Sequence, residues 1–468
     1  MSVPSNLLQT AEADSLLGQS HYLRAIASMA KDESLVLRDA IYTANGVRLA
    51  DKGMLLDSAF YDSLVNERLR HPIDELVDVR RLVDVPTLEA ECMTLCESAV
   101  LPRMLMLALG ETEQWRLLAP LADMVWPQQA SFKLTVMRSQ RQVLYEHSLS
   151  MLLVSVYLGV RQGLSDEQLA QLAAAALLHD VGMLFMEPSW TDPQHKLTAD
   201  ERRQLSVHSI TAMLVIRSTA AYPAEVEMAV LEHHERMDGS GYPRNVGGKH
   251  ISPLGQILLV AEVVSAFFDK YAQDRPAMRL SLMLRLNRQR FPADLVGHVH
   301  QLLRLAPEMG TADLQPVAAD VRHSLVRLSM LLDHWQRVRS RLPAKWQLLP
   351  SGRAGLYMDT RMATLEAELA EAGALPKQQI AMMHWMQHSP EALTEQSFIN
   401  REALWQLETC VHTCLRRWPQ IMQRKDAVAQ AVADWVEQAQ AVLAGKRLQN
   451  GKAAAQAGNA GAKGGKKR

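Results

Sequence analysis

The chain has 468 residues, with 50 Lys and Arg against 51 Asp and Glu and a formal net charge of -1 at pH 7. That balance excludes a protein drawn to nucleic acid or anionic membrane by its overall charge, and a hydrophobic share of 48% excludes disorder over most of the length. Only 23 Gly and 20 Pro punctuate a sequence rich in Leu, Ala and Met, so the chain reads as mainly α and, at about 150 residues per domain, as about three domains.

Met1-Ser2-Val3-Pro4-Ser5-Asn6 has no basic stretch followed by an apolar one, so no secretory signal is expected. The first region, residues 1–124, carries Asn45-Gly46 between Asp39-Ala40-Ile41-Tyr42 and Val47-Arg48-Leu49. Asn-Gly between two such runs predicts a small β-hairpin. Helical patterns flank it over 59–69 and 85–109. Cys92 and Cys96 in the second pattern are spaced i, i+4, as are Cys410 and Cys414. Four thiolates could hold zinc, but the spacing is wider than the usual C-x2-C knuckle. Small buried residues of reduced helices is the plainer reading.

The second region, residues 125–307, has its helix ends well marked. Ser165 with Gln168 and Thr198 with Glu201 form two capping boxes. The second opens a helix predicted to place Leu205, His208, Ala212 and Ile216 on one face. Pro223 and Pro253 begin two more helices. The apolar runs over 151–160 and 257–268 fall short of the roughly 18 residues that suggest a membrane span. They read as buried helices, so no membrane span and a cytoplasmic location are expected. Residues 308–444 form a further helical region, with long periodic segments over 314–342 and 427–443. From 445 to 468 the sequence is Gly-, Ala- and Lys-rich with no acid, which predicts a disordered basic tail.

The chemistry gathers in the second region. His147 lies on or near the apolar side of a helix with Leu144, Met151 and Val154. His179-Asp180 and His233-His234 end two helices, His208 sits on a buried face, and Glu262 interrupts the most apolar stretch of the chain. A lone His on an apolar face is ordinarily a satisfied core residue. Five histidines and two carboxylates on successive helices are harder to explain that way, because a buried Glu is costly unless paired or bound to a metal. Inward faces of a helical bundle are where such ligands converge. Imidazole with carboxylate suits Fe, Mn or Zn, and seven donors exceed one ion's need, so two ions are favoured.

Leu178-His179-Asp180-Val181-Gly182 resembles the HD motif of metal-dependent phosphohydrolases. The stretch His233-His234-Glu235-Arg236-Met237-Asp238-Gly239-Ser240-Gly241-Tyr242-Pro243 resembles the signature of the HD-GYP family. The order of the remaining residues is also that of HD-GYP domains. The likeness spans roughly residues 130–307. It implies a helical bundle, flanked here by the N-terminal hairpin region and a C-terminal helical extension. It also implies hydrolysis of the bacterial second messenger cyclic di-GMP to pGpG and GMP. By the same resemblance the metal positions are His147, His179, Asp180, His208, His233, His234 and Glu262, holding two divalent ions, Fe or Mn. Asp180 bridges them and, with His179, serves catalysis. Gly241, Tyr242, Pro243 and Arg275 would meet the substrate. The GYP loop is also where a signalling-protein partner could dock, and a homodimer is compatible with the pattern.

Three positions depart from the family. The Lys that usually follows the HD motif and contacts the scissile phosphate is Met183. The late acid, usually Asp, is Glu262. The Arg of a usual Arg-Pro-Tyr segment is matched by Arg275-Pro276-Ala277, four residues late. The extra Glu of trinuclear members is Val143. Met183, Arg275, Arg279 and Lys270 therefore decide how firmly phosphate is held. The alternatives are a catalytically impaired member that binds cyclic di-GMP or a protein partner, and a hydrolase of another nucleotide.

Overall fold

Asn45-Gly46 turns the chain as its sequence demands. Gly46 takes a φ of 83° that few side chains tolerate, and Thr43 N donates to Val47 O at 2.8 Å. The turn joins β2 (Ile41–Tyr42) to β3 (Arg48–Ala50) as an antiparallel hairpin. A second pair the sequence did not announce runs between β1 (Leu35–Leu37) and β4 (Val77–Val79), with Leu35 opposite Val79. The computed structural model describes residues 20–30, 35–56, 64, 67, 69–192, 194–272, 274–306, 318–386 and 388–444. Most of the helix expected over 59–69, and all of the basic tail, lie outside the described residues.

The chain divides into two units. The first takes its residues from 1–281 and 288–309, the second from 282–287 and 310–468. In the first, α1 (Val85–Ser98) and α2 (Val100–Leu109) replace the single helix expected over 85–109. Ala99 between them is extended, and the two axes differ by 93°. Pro102, in the first turn of α2, is the residue that favours a restart there. The bundle proper comprises α3 (Gln128–Gln140), α4 (Gln142–Arg161), α5 (Asp166–Leu178), α6 (Ala199–Leu205), α7 (His208–Ser218), α8 (Ala224–Glu232) and α9 (Pro253–Lys270), followed by α10 (Pro276–Leu286) and α11 (Ala293–Leu303). Both capping boxes are formed, at Ser165 and at Thr198. Ser252 caps α9 by accepting from Gly255 N, with Pro253 in its first turn.

Helix α4 is buried almost all round and packs against α5 and α9, while α8 packs against α5, α7 and α9. The one helix expected to run from Thr198 through His208 is broken. α6 ends at Leu205 and α7 begins at His208. The cause is tertiary: the 3-10 turn Val181–Phe185 presses on α7 at Gly182, where any side chain would collide with the carbonyl oxygen of His208.

Two helical stretches, Gln142–Arg161 and Asp166–Phe185, are long and apolar enough in composition to cross a bilayer, and the bent α1–α2 pair would be a third. This corrects the expectation that no stretch qualifies. Uninterrupted apolar runs are short here, but Ser, Gly and Tyr dilute the helices too little to lower their hydropathy. Most of both stretches is buried within the protein.

The second unit contains α12 (Ala318–Arg339), α13 (Gly352–Glu371), α14 (Pro376–Met386), α15 (Pro390–Arg417) and α16 (Ala427–Leu443). α12 packs on α15 and α16, and α13 on α16. Trp435 is fully buried and donates from Nε1 to Leu331 O at 3.1 Å. Buried Gln379 and Asn400 bond each other at 2.8 Å.

Candidate metal centre

Five helices deliver the seven expected ligands to one place. His147 comes from the second turn of α4, and His179 ends α5 with Asp180 following it. His208 opens α7, His233 ends α8 with His234 next, and Glu262 lies midway along α9. Ring centroids of His179 and His233 are 5.1 Å apart, those of His208 and His233 5.3 Å, and those of His233 and His234 4.0 Å.

Three of the rings are oriented by the ends of their own helices. Nδ1 of His179, His208 and His233 bonds the carbonyl three residues earlier, at Ala176 (2.7 Å), Leu205 (2.6 Å) and Val230 (2.6 Å). A carbonyl can only accept, so each Nδ1 carries the proton and each Nε2 presents a lone pair to the centre. There Nε2 of His208 lies 3.2 Å and Nε2 of His233 3.6 Å from Asp180 Oδ1, and Nε2 of His179 lies 3.4 Å from Asp180 Oδ2. His179 Nε2 and Asp180 Oδ1 are buried without a hydrogen-bond partner. Orphaned acceptors in a dry interior are costly, and a cation satisfies both. The donors fall into two groups that each reach a common point, Asp180 with His208, His233 and His234, and His147 with His179 and Asp180. Among the described residues no cysteine joins such a group, and none of the four cysteines forms a disulfide.

Glu262 stands at the second group. Its Oε2 is 3.0 Å from His147 Nε2 and 3.6 Å from His179 Nε2. The other nitrogen of His147, Nδ1, is 2.7 Å from Asp269 Oδ2. Asp269 was not anticipated from sequence, although it follows Glu262 by seven residues and so shares its face of α9.

The electrostatics follow from burial and pairing. Burial works against charge on every group, but Glu262 and Asp269 outweigh it at His147 and hold that imidazole well above its ordinary range. Burial opposes ionisation of Asp180 and Glu262 too. His179 and His208 nevertheless keep Asp180 well below the carboxylate range, and His147 does the same for Glu262. At His208, Asp180 overcomes burial and raises the pKa. His233 and His234 lie on the other side, since burial lowers both, helped at His234 by the charge of His233. The cluster thus holds two ionised carboxylates among imidazoles of two kinds, His147 and His208 drawn toward the protonated form and His233 and His234 toward the neutral one.

The loop after His234 folds back over the cluster. The Tyr242 ring stacks on that of His234, with centroids 4.7 Å apart. Gly241 lies against the backbone of Glu235 and Arg236, where a Cβ would collide. Pro243 continues this loop through a cis Tyr242-Pro243 bond. Buried Glu232 anchors the loop's far side, paired with Arg244 and accepting from Ser252 N at 2.8 Å. Arg275 begins α10 with a φ of 48°, and no side-chain bond joins it to the cluster among the described residues. Arg279 pairs with Asp274 and lies over the Tyr271 ring, and Lys270 lies over the same ring. Arg236 donates from Nη1 to Glu235 O at 2.7 Å and lies over the Phe291 ring. Burial and Arg290 push its guanidinium down to about 10, while Tyr242 and Glu262 act in the opposite sense. Met183 is buried in the turn after Asp180.

Residues 134–290 match the HD domain family. Over 113 residues the chain is 34% identical to 3'3'-cGAMP-specific phosphodiesterase 3 of Vibrio cholerae, covering 24% of each protein. Over 239 residues it is 26% identical to a cyclic di-GMP phosphodiesterase of Pseudomonas aeruginosa, covering 48% of this chain and 56% of that one. Over 115 residues it is 36% identical to the cyclic di-GMP phosphodiesterase response regulator RpfG of Xanthomonas campestris, covering 24% and 29%. The chain spans between about a quarter and just over half the length of these relatives.

Proposed function

We propose that residues 134–290, which match the HD domain family, form an HD-GYP domain that hydrolyses cyclic di-GMP to linear pGpG and GMP. The observation that carries the reading is the meeting of two ligand groups at one carboxylate, Asp180. In this reading His208, His233 and His234 would hold one divalent ion and His147, His179 and Glu262 a second, with Asp180 common to both groups. Iron or manganese suits such a mixed imidazole and carboxylate set. Ions bound there would supply Lewis-acid polarisation of the phosphoryl oxygens and a water acidic enough to attack phosphorus near neutral pH.

The chain's own residues supply orientation. The carbonyls of Ala176, Leu205 and Val230 fix the tautomer of three ligands before anything binds. Tyr242, stacked on His234, and Gly241, pressed on the Glu235 backbone, form a wall beside the ligands for one face of the nucleotide. Arg236 is the cation we assign to part of the phosphate work that Met183 cannot do. Arg275 has that role only if the start of α10 turns toward the substrate.

Met183 also supports a second reading, in which the domain binds cyclic di-GMP, or docks a signalling protein at the 239–243 loop, without turnover. Loss of one charge-assisted phosphate contact costs about 1.5–3 kcal/mol, or roughly 10–150-fold in rate, which slows an enzyme without abolishing it. One assay separates the readings. Purified protein with Mn2+ or Fe2+ is given cyclic di-GMP and the products are resolved by chromatography. Formation of pGpG and GMP, lost in His179→Ala, supports hydrolysis. Calorimetric binding without product supports the second reading. Turnover of 3'3'-cGAMP alone corrects the substrate, and absence of both binding and turnover refutes both readings.

A further inference from the structure

Glu232 is the last residue of α8 and stands directly before His233 and His234. It is 1% exposed, and its carboxylate is shared between two other segments. One oxygen pairs with the guanidinium of Arg244, which closes the loop that carries Tyr242 and is itself buried. The other accepts from Ser252 N at 2.8 Å and from Ser252 Oγ at 2.6 Å, at the cap of α9. α9 can come this close because Gly255 faces the carboxylate, where a Cβ would lie 2.6 Å from Glu232 Oε2. Arg244 is held a second time by its backbone, whose N donates to Glu235 Oε1 at 2.7 Å.

A salt bridge this deep can be read as a staple that only adds stability. Desolvation of two charges offsets most of their attraction, so a well-packed apolar pair would serve that purpose as well. What an apolar pair would not supply is direction. A carboxylate with each oxygen committed to a different segment fixes both. The loop between His234 and Arg244 is drawn back so that Tyr242 N donates to His234 O at 3.2 Å and the Tyr242 ring stacks on the His234 ring. Glu262 lies about 15 Å further along α9 from Ser252, on a helix that also packs against α4. The hold of Glu232 therefore falls on His233 and His234 rather than on Glu262.

We propose that Glu232 is a positioning residue of the candidate metal centre. Through Arg244 it fixes His233, His234 and the Tyr242 ring relative to one another, and so sets the metal affinity of the group that His233 and His234 form with His208 and Asp180. The inference rests on the metal reading above, and one of its two measurements is made without metal.

Glu232→Gln keeps the side-chain shape and an acceptor for Ser252, but turns an amide NH2 toward the Arg244 guanidinium, donor against donor. In the metal-free full chain, hydrogen exchange over 237–248, which contains Tyr242 N and Gly248 N, donors to His234 O and Met237 O, should quicken at least about 10-fold while α4 and α5 stay as in wild type. A general loss of stability would quicken all three. In a chelator-competition titration with Mn2+, one of two equivalents should weaken about 10-fold, the low end for residues that orient ligands, and the other should keep its affinity. Asp269→Asn removes the outer partner of His147 and identifies the ion, since Glu232→Gln combined with Asp269→Asn should weaken both. Should Glu232→Gln not fold, Glu232→Gln with Arg244→Met removes both charges together, the change that buried pairs tolerate best, and carries the same expectations. Unchanged exchange over 237–248, unchanged affinity for both ions, or equal weakening of both overturns the proposal and leaves the metal reading standing. Wild-type protein that takes up no Mn2+ overturns the metal reading, and this inference with it.

Discussion

Replacing Asp180 by Asn preserves the side-chain volume and removes the charge that both ligand groups share. Asp180 oxygens lie 3.2, 3.6 and 3.4 Å from the Nε2 atoms of His208, His233 and His179. At 3.2 Å two unit charges attract by about 5 kcal/mol at an effective dielectric of about 20, so this carboxylate dominates the local field. Removing a residue that only orients a ligand typically costs about 10–100-fold in metal affinity. A shared, charged ligand should cost at least about 100-fold for each ion, or about 2.7 kcal/mol. Asp269→Asn is the internal comparison, because among the described residues Asp269 meets the cluster through His147 alone, whose Nδ1 lies 2.7 Å from its Oδ2. It should weaken one ion by about 10–100-fold and leave the other unchanged. The assay is a chelator-competition titration with Mn2+, together with elemental analysis of the isolated protein. Wild type should take up two equivalents, Asp180→Asn should lose affinity for both, and Asp269→Asn for one. Two equivalents bound to Asp180→Asn at wild-type affinity would refute the bridging assignment, and equal weakening of both ions by Asp269→Asn would refute the division into two groups.

Metal-free protein should be most stable near pH 6.5. His233 and His234, with lowered pKa values, bind fewer protons folded than unfolded, so stability rises with pH up to about the unfolded value of 6.5. His147 and His208, with raised values, hold extra protons when folded, and their contribution is lost as pH climbs from about 6.5 through their folded values. Thermal melts from pH 5 to 9 after chelation should show that maximum, and a flat or monotonic profile would count against the cluster's charge pattern. Gly182→Ala should cost about 3 kcal/mol, since the new methyl meets the His208 carbonyl, lowering the melting temperature by roughly 6–12 °C. Gly297→Ala, on α11 with open space at the Cβ, should instead stabilise by about 0.5–1 kcal/mol. Burial pushes the Cys96 thiol up to about 11 and that of Cys414 up to about 12, so both should resist iodoacetamide at pH 8 in the native protein and react once it is denatured.

What could be read in the sequence was local or nearly so. The caps at Ser165 and Thr198 need only residues three apart, and the Asn45-Gly46 turn only its own backbone. Each was legible and each is formed. That the histidines stand out was legible for a related reason, because a polar ring at a helix end or on an apolar face conflicts with its surroundings in one dimension. What escaped was decided by contact across the chain. The break between α6 and α7 is imposed by Gly182, more than twenty residues upstream of His208, and no helix breaker stands at Ser206 or Val207 to announce it. Lys133 looks like any surface lysine until Asp74, 59 residues away, is found beside it in the interior. Asp269 is the intermediate case, with its periodicity visible along α9 but its partner on α4 not. The same division governs the three departures from the family pattern. That a lysine is missing at Met183 is a fact of spelling. Whether the loss matters depends on which cation can reach the cluster, and packing decides that: Arg236 feels the charges of Tyr242 and Glu262 while donating to Glu235 O, and Arg279 and Lys270 are drawn onto Tyr271.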